Sequence, residues 1–244
     1  MELLTELDIE QQVLDKIRSI LKNEEQVVGR REILSDLKAA IVAESTVNSL
    51  CDIIAKDPGL AAEMMWRSNS VIRNWSSRTK VRSLKDAVIR LGVINLYRYA
   101  FSFYLREKFE HLHQPFKKLV HGYWHLNEQI ASESVDALFD IPDNLISPEE
   151  VQTLGLFSMF GQIVTLTAAA VVDSEGEVSV PVSLIRSIMN THQKKLTLMA
   201  FSAMGLDPEL QMELMVAYEQ IPPSQDLSPG VILNRVLRKR KINL

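Results

Sequence analysis

The sequence predicts an all-α protein of two packed helical lobes, residues 1–112 and 113–244, sharing one interface. Three observations carry that expectation. Apolar residues recur at spacings of three and four along most of the chain, which places one apolar stripe on each helix. Helix-start signals, an Asp or Ser followed by proline or acidic residues, recur between those stretches. Strand-like patterning is confined to the short segment Val178–Val182.

In the first half, Val47, Leu50, Cys51 and Ile54 form a stripe. Asp57-Pro58 then opens a new helix, with Asp57 as N-cap and Pro58 at the first helical position, where a missing N–H is harmless. Leu60, Ala61, Met64 and Met65 face inward on it. Ser83, with Asp86 three residues on, caps a short helix whose buried face is Leu84, Ala87, Val88 and Leu91. Gly92 suits a helix end or a tight joint. Val93, Leu96, Tyr97, Ala100, Phe101, Tyr104 and Leu105 describe one long amphipathic helix.

The second half starts near Pro115, with a helix expected over Phe116–Leu138 and a loop at Ile141–Asn144. Ser147-Pro148-Glu149-Glu150 supplies a cap, a first-turn proline and helpful acidic charge. Val151–Val172 follows, with 22 positions free of charge. Polar residues interrupt it and acidic ones flank it, whereas a spanning helix prefers basic and aromatic flanks. The expectation is a helix buried on most sides. After a turn at 173–177, helices are expected over 182–205, broken near Asn190, over 208–220 up to Ile221-Pro222-Pro223, and over 228–239.

Composition bounds the class. Hydrophobic residues make up 46% and charged residues 24% of 244 positions, the balance of a globular protein rather than a disordered one. Cys51 is the single cysteine, so no intrachain disulfide forms, in keeping with a reducing compartment. The start, MELLTELDIEQQ, lacks the basic and apolar regions of a signal peptide, and a cytoplasmic location is expected. The net charge of −4 hides a segment, residues 67–108, with 10 basic and 2 acidic side chains between acidic flanks.

Residues 45–105 hold a specific pattern: Ile53-Ile-Ala-Lys-Asp57-Pro58-Gly-Leu60, then Asn69-Ser70, then Ser83-Leu84 through Ala87 to Leu91-Gly92. This resembles the HDOD family. Gly155-Leu156-Phe157-Ser158-Met159-Phe160-Gly161-Gln162 resembles, more loosely, the Gly-Leu-Leu-His-Asp-Ile-Gly-Lys element of the HD-like part of that family. The resemblance implies that Ser158 and Met159 stand where a metal-dependent HD phosphohydrolase has its His-Asp pair. A hydroxyl and a thioether do not replace imidazole and carboxylate around a hard divalent cation. His125 is offered as counterpart to the first histidine of the HD pattern.

Each candidate has a bland alternative. His121 and His125 sit at i, i+4 and, with His192, offer a metal site; the alternative is a pair bordering a helix contact. A metalloprotease would need Glu where Gly122 stands. Ser158 and Gln162 share a helix face, either lining a remnant pocket or satisfying each other and buried backbone. Arg73, Arg78, Lys80 and Arg82, with Arg67 and Arg90 nearby and Trp75 between, suit an anionic ligand, nucleotide or acidic protein; the alternative is a solvated or internally neutralised loop. His111 and His113 read as capping or solvated, Cys51 as a core residue, and Arg238-Lys239-Arg240-Lys241 as a solvated tail or an anionic-surface contact.

The expected function is therefore a non-enzymatic signalling or regulatory module, without catalytic residues or cofactor, that binds a protein partner or small ligand. It would act as an adaptor or meet sensor or enzyme domains in trans. A divergent metal-dependent phosphohydrolase and a nucleotide- or nucleic-acid-binding protein using loop 73–82 are the alternatives.

Overall fold

A computed structural model describes residues 5–22, 32–70, 81–175, 179–203 and 208–242, and within them the regular structure is entirely helical. The helices are α1 (Glu6–Lys22), α2 (Glu32–Val42), α3 (Val47–Ala55), α4 (Pro58–Ser70), α5 (Leu84–Leu91), α6 (Val93–Phe109), α7 (Phe116–Phe139), α8 (Pro148–Phe157), α9 (Phe160–Glu175), α10 (Val182–Ala203), α11 (Pro208–Ala217) and α12 (Pro229–Lys239). The strand-like segment is not one: residues 179–181 are extended coil leading into α10, and Val178 lies outside the described residues.

The chain divides into two compact units, Met1–Glu24 with Phe109–Leu244, and Glu25–Lys108. This corrects the expected partition at 112/113. The first helix, α1, belongs with the second half because its buried stripe of Ile9, Val13, Ile17 and Ile20 packs on α9 and α10.

In the contiguous unit, capping residues do what their chemistry predicts. Asp57 Oδ1 accepts the Gly59 and Leu60 N–H groups at 2.9 and 3.1 Å, starting α4. Its other oxygen accepts the Tyr104 hydroxyl at 2.8 Å, which ties the start of α4 to α6. Ser83 Oγ accepts the Asp86 N–H and starts α5. Gly92, at φ 74°, makes the joint between α5 and α6 in a backbone region that side chains rarely adopt. Asn69 closes a longer connection. Its Oδ1 accepts the Val81 N–H at 2.9 Å, and its Nδ2 donates to Val81 O at 3.2 Å and Met65 O at 3.0 Å. One side chain thus ends α4 and fixes the point to which the chain returns eleven residues after Ser70.

In the other unit, α9 is the centre, in contact with α1, α7 and α10. Nearly every residue from Phe160 to Ala170 is buried, so its threonines must be satisfied within the helix. Thr165 and Thr167 do this by donating to the carbonyls of Gly161 and Ile163 at 2.8 Å. The stretch Pro148–Glu175 meets the length and apolarity of a membrane-crossing helix, but 94% of its most apolar window is buried inside the protein. It is also not one helix, as expected, but two, broken at Ser158-Met159. Two other boundaries differ from expectation. α10 runs unbroken through Asn190, which is exposed and so costs the helix little. α11 stops at Ala217, where the chain turns through Tyr218 and Glu219, the latter at φ 60°.

The last helix is anchored at both ends. Ser228 caps it, and Glu213 of α11 accepts from Ser228 Oγ at 2.5 Å and Gly230 N at 2.7 Å. Of its C-terminal charges, Lys239 and Lys241 are exposed, whereas the two arginines are paired. Arg240 forms a two-pronged pair with Glu133 at 2.6 and 2.7 Å, and Arg238 binds Glu219 at 2.7 Å.

Candidate functional site at the α8–α9 joint

The break between α8 and α9 is flanked by close packing on both sides. A Cβ on Gly155 would stand 2.5 Å from Ala131 Cα of α7. One on Gly161 would stand 2.7 Å from Thr197 Oγ1 and 2.8 Å from the Gln193 carbonyl of α10. Only glycine lets α8 pass α7, and α9 pass α10, this closely.

Breaking a buried helix exposes backbone donors and acceptors that need partners. Four of them are met by neutral side chains. Asn127 of α7 is fully buried, and its Oδ1 accepts the Met159 N–H at 3.1 Å, with Ser158 Oγ at 3.5 Å. Ser158 Oγ donates to Gly155 O at 2.8 Å. The Tyr218 hydroxyl donates to Ser158 O, and burial pushes its pKa well above the ordinary phenol range, opposed by a hydrogen bond with Thr197. Thr197 Oγ1 accepts the Gly161 N–H at 2.9 Å. Ser158, Met159 and Gln162 are all buried at this joint.

The donor set here is amide, hydroxyl, thioether and phenol. It has no imidazole or carboxylate, and the Asn127 oxygen is already engaged by a backbone N–H. It does not fit a hard divalent cation. Among the described residues, no group of three or more His, Cys, Asp or Glu side chains gathers to hold a metal ion.

The histidines lie elsewhere. His125 is not the residue of α7 that faces Ser158 and Met159; Asn127 is. His125 is largely exposed, accepting from Gln129 Nε2 at 3.0 Å. His121 is also exposed and lies 3.0 Å from Glu110, which itself pairs with Lys117. His192 is half-buried on α10. His111 is exposed, whereas His113 meets Asp173 at 2.8 Å and packs edge-on to Phe116 rather than capping a helix.

Of the basic segment, Arg73, Trp75, Arg78 and Lys80 lie outside the described residues, and Arg82 is exposed. Arg67 is not part of such a surface. It is buried, pairs with Glu63 at 2.9 Å and lies over the rings of Trp66 and Tyr99. Cys51 is half-buried, and burial raises its thiol pKa, so it is not an activated nucleophile.

Asn127 is the site residue that the sequence reading missed. The stripe Phe116, Val120, Trp124, Asn127, Ile130 and Ala131 is buried throughout. A lone amide on an otherwise apolar stripe was the available signal.

The chain belongs to the HDOD domain family, which matches it over residues 32–212. Its fold is shared with a crystal structure from Shewanella amazonensis SB2B, a protein named provisionally as a metal-dependent phosphohydrolase. The TM-score is 0.62 at 16% identity, with 98% of this chain and 85% of that chain covered. None of the curated proteins compared with this chain matches it.

Proposed function

We propose that this HDOD protein is a non-enzymatic regulatory module of the cytoplasm, working by binding a protein partner or small ligand. The observation that carries the reading is the burial and neutrality of the α8–α9 joint. Asn127, Ser158, Met159 and Gln162 are all enclosed by the fold. Hydrolysis there would need groups that polarise a phosphate and activate water, and a path for substrate. Buried, neutral side chains supply neither.

The test is elemental analysis of protein purified without chelators, with assays against nucleotides and phosphodiesters. Metal-free, inert protein is the expected result. Stoichiometric divalent metal with turnover that disappears in His125→Ala would overturn the reading. Gentle affinity purification from the native cell then tests the regulatory half, for which a reproducible partner is expected.

A further inference from the structure

Three side-chain amide atoms at the joint remain to be explained. Asn127 Nδ2, Gln162 Oε1 and Gln193 Nε2 are buried without a partner among the described residues. The residues are 0%, 2% and 9% exposed. They come from α7, α9 and α10, and α9 packs against both of the others. Asn127 holds the Met159 N–H. The Gln162 N–H is bonded to Met159 O at 3.1 Å. The Gln193 carbonyl lies against Gly161.

The orientation of the Asn127 amide is set by chemistry. Its oxygen must face the Met159 N–H, so its NH₂ is turned to the other side. Buried amides in folded proteins are paired, either with protein or with ordered water. The unpaired groups here are two N–H donors and one carbonyl acceptor. A cation needs lone pairs and would face the positive ends of two amides. Water accepts two hydrogen bonds and donates two, so it suits donors and acceptor alike.

We propose that the joint is a binding site for ordered internal water, held by Asn127 and Gln193 as donors and Gln162 as acceptor. This rests on reading the joint as non-catalytic. It adds that the centre has exchanged a cation's chemistry for that of a neutral guest.

The test combines a high-resolution crystal structure of the full chain with oxygen-17 relaxation dispersion, which counts long-lived internal waters. The expected result is water within about 3 Å of the three amide atoms, and a count that falls by at least one in Gln162→Met. Gln193→Met serves as the second variant if the first fails to fold, and the wild-type density needs neither. A dry centre, or amides that bond only to protein, overturns the inference and leaves the functional reading intact. A divalent ion in the density, matched by elemental analysis, overturns both.

Discussion

Asn127 and Met159 are joined by one buried hydrogen bond, from the Met159 N–H to Asn127 Oδ1 at 3.1 Å, across 32 residues of chain. It does two jobs at once: it caps a broken helix and fixes α7 against that break. Asn127→Leu keeps the volume and leaves the N–H buried without an acceptor, a loss of about 1–3 kcal/mol. The urea midpoint is expected to fall while the slope stays constant. An unchanged midpoint would show that the bond adds nothing to stability.

Gly155→Ala and Gly122→Ala are expected to act in opposite directions. At Gly155 the new methyl meets the Ala131 backbone at 2.5 Å, and neither helix can yield without losing contacts. The cost expected of such overpacking is about 1–3 kcal/mol. At Gly122, also in a helix, a Cβ meets nothing within 4 Å. There alanine is expected to stabilise by roughly 1 kcal/mol or less through helix propensity. Thermal unfolding of the two variants side by side checks the sign of each.

Asn69→Ala removes both bonds to Val81 and the bond to Met65 O. Amide hydrogen exchange is the direct measurement. Val81 is expected to lose protection, and stability to fall by on the order of 1–3 kcal/mol. Val81 exchanging as slowly as in the wild type would mean that Asn69 does not hold that connection.

The acid limb of stability gives a pH test. A hydrogen bond from Arg240, opposed by desolvation and helped by its charge, holds the Glu133 carboxyl below the usual range. A carboxylate with a lowered folded-state pKa stabilises the protein fully above its unfolded value, roughly pH 4.3. That contribution is lost as pH falls through the lower folded value. Glu133→Gln should therefore be less stable than wild type at pH 7, and the two should converge in acid. Urea titrations at several pH values check this; parallel curves would contradict it.

How legible the fold was depended on how local its cause was. The caps at Asp57, Ser83, Ser147 and Ser228 accept the N–H groups that their sequence contexts predict, because an N-cap acts over three residues. The split between α8 and α9 was hidden, since the groups packed on either side of it are Ala131, Gln193 and Thr197, far away in sequence. The glycines were visible, but not what they approach. Asn190 misled for the opposite reason: a poor helix former on a solvent face is carried by its buried neighbours Ile188 and Met189. At the candidate site, Ser158, Met159 and Gln162 stood out through family resemblance. Asn127 did not, because its signal is a lone amide on an apolar stripe, which shows only when residues 116–131 are laid out at helical spacing.

The discontinuity of the larger unit has a consequence for biosynthesis. Glu25–Lys108 is an uninterrupted stretch, so a ribosome delivers it whole. The apolar stripe of α1 emerges earlier, but its docking surface on α9 and α10 ends at Ala203. At about 5–20 residues per second, α1 waits on the order of ten seconds or more for its partners. During that interval the apolar stripe of α1 lacks the surface that buries it in the finished fold.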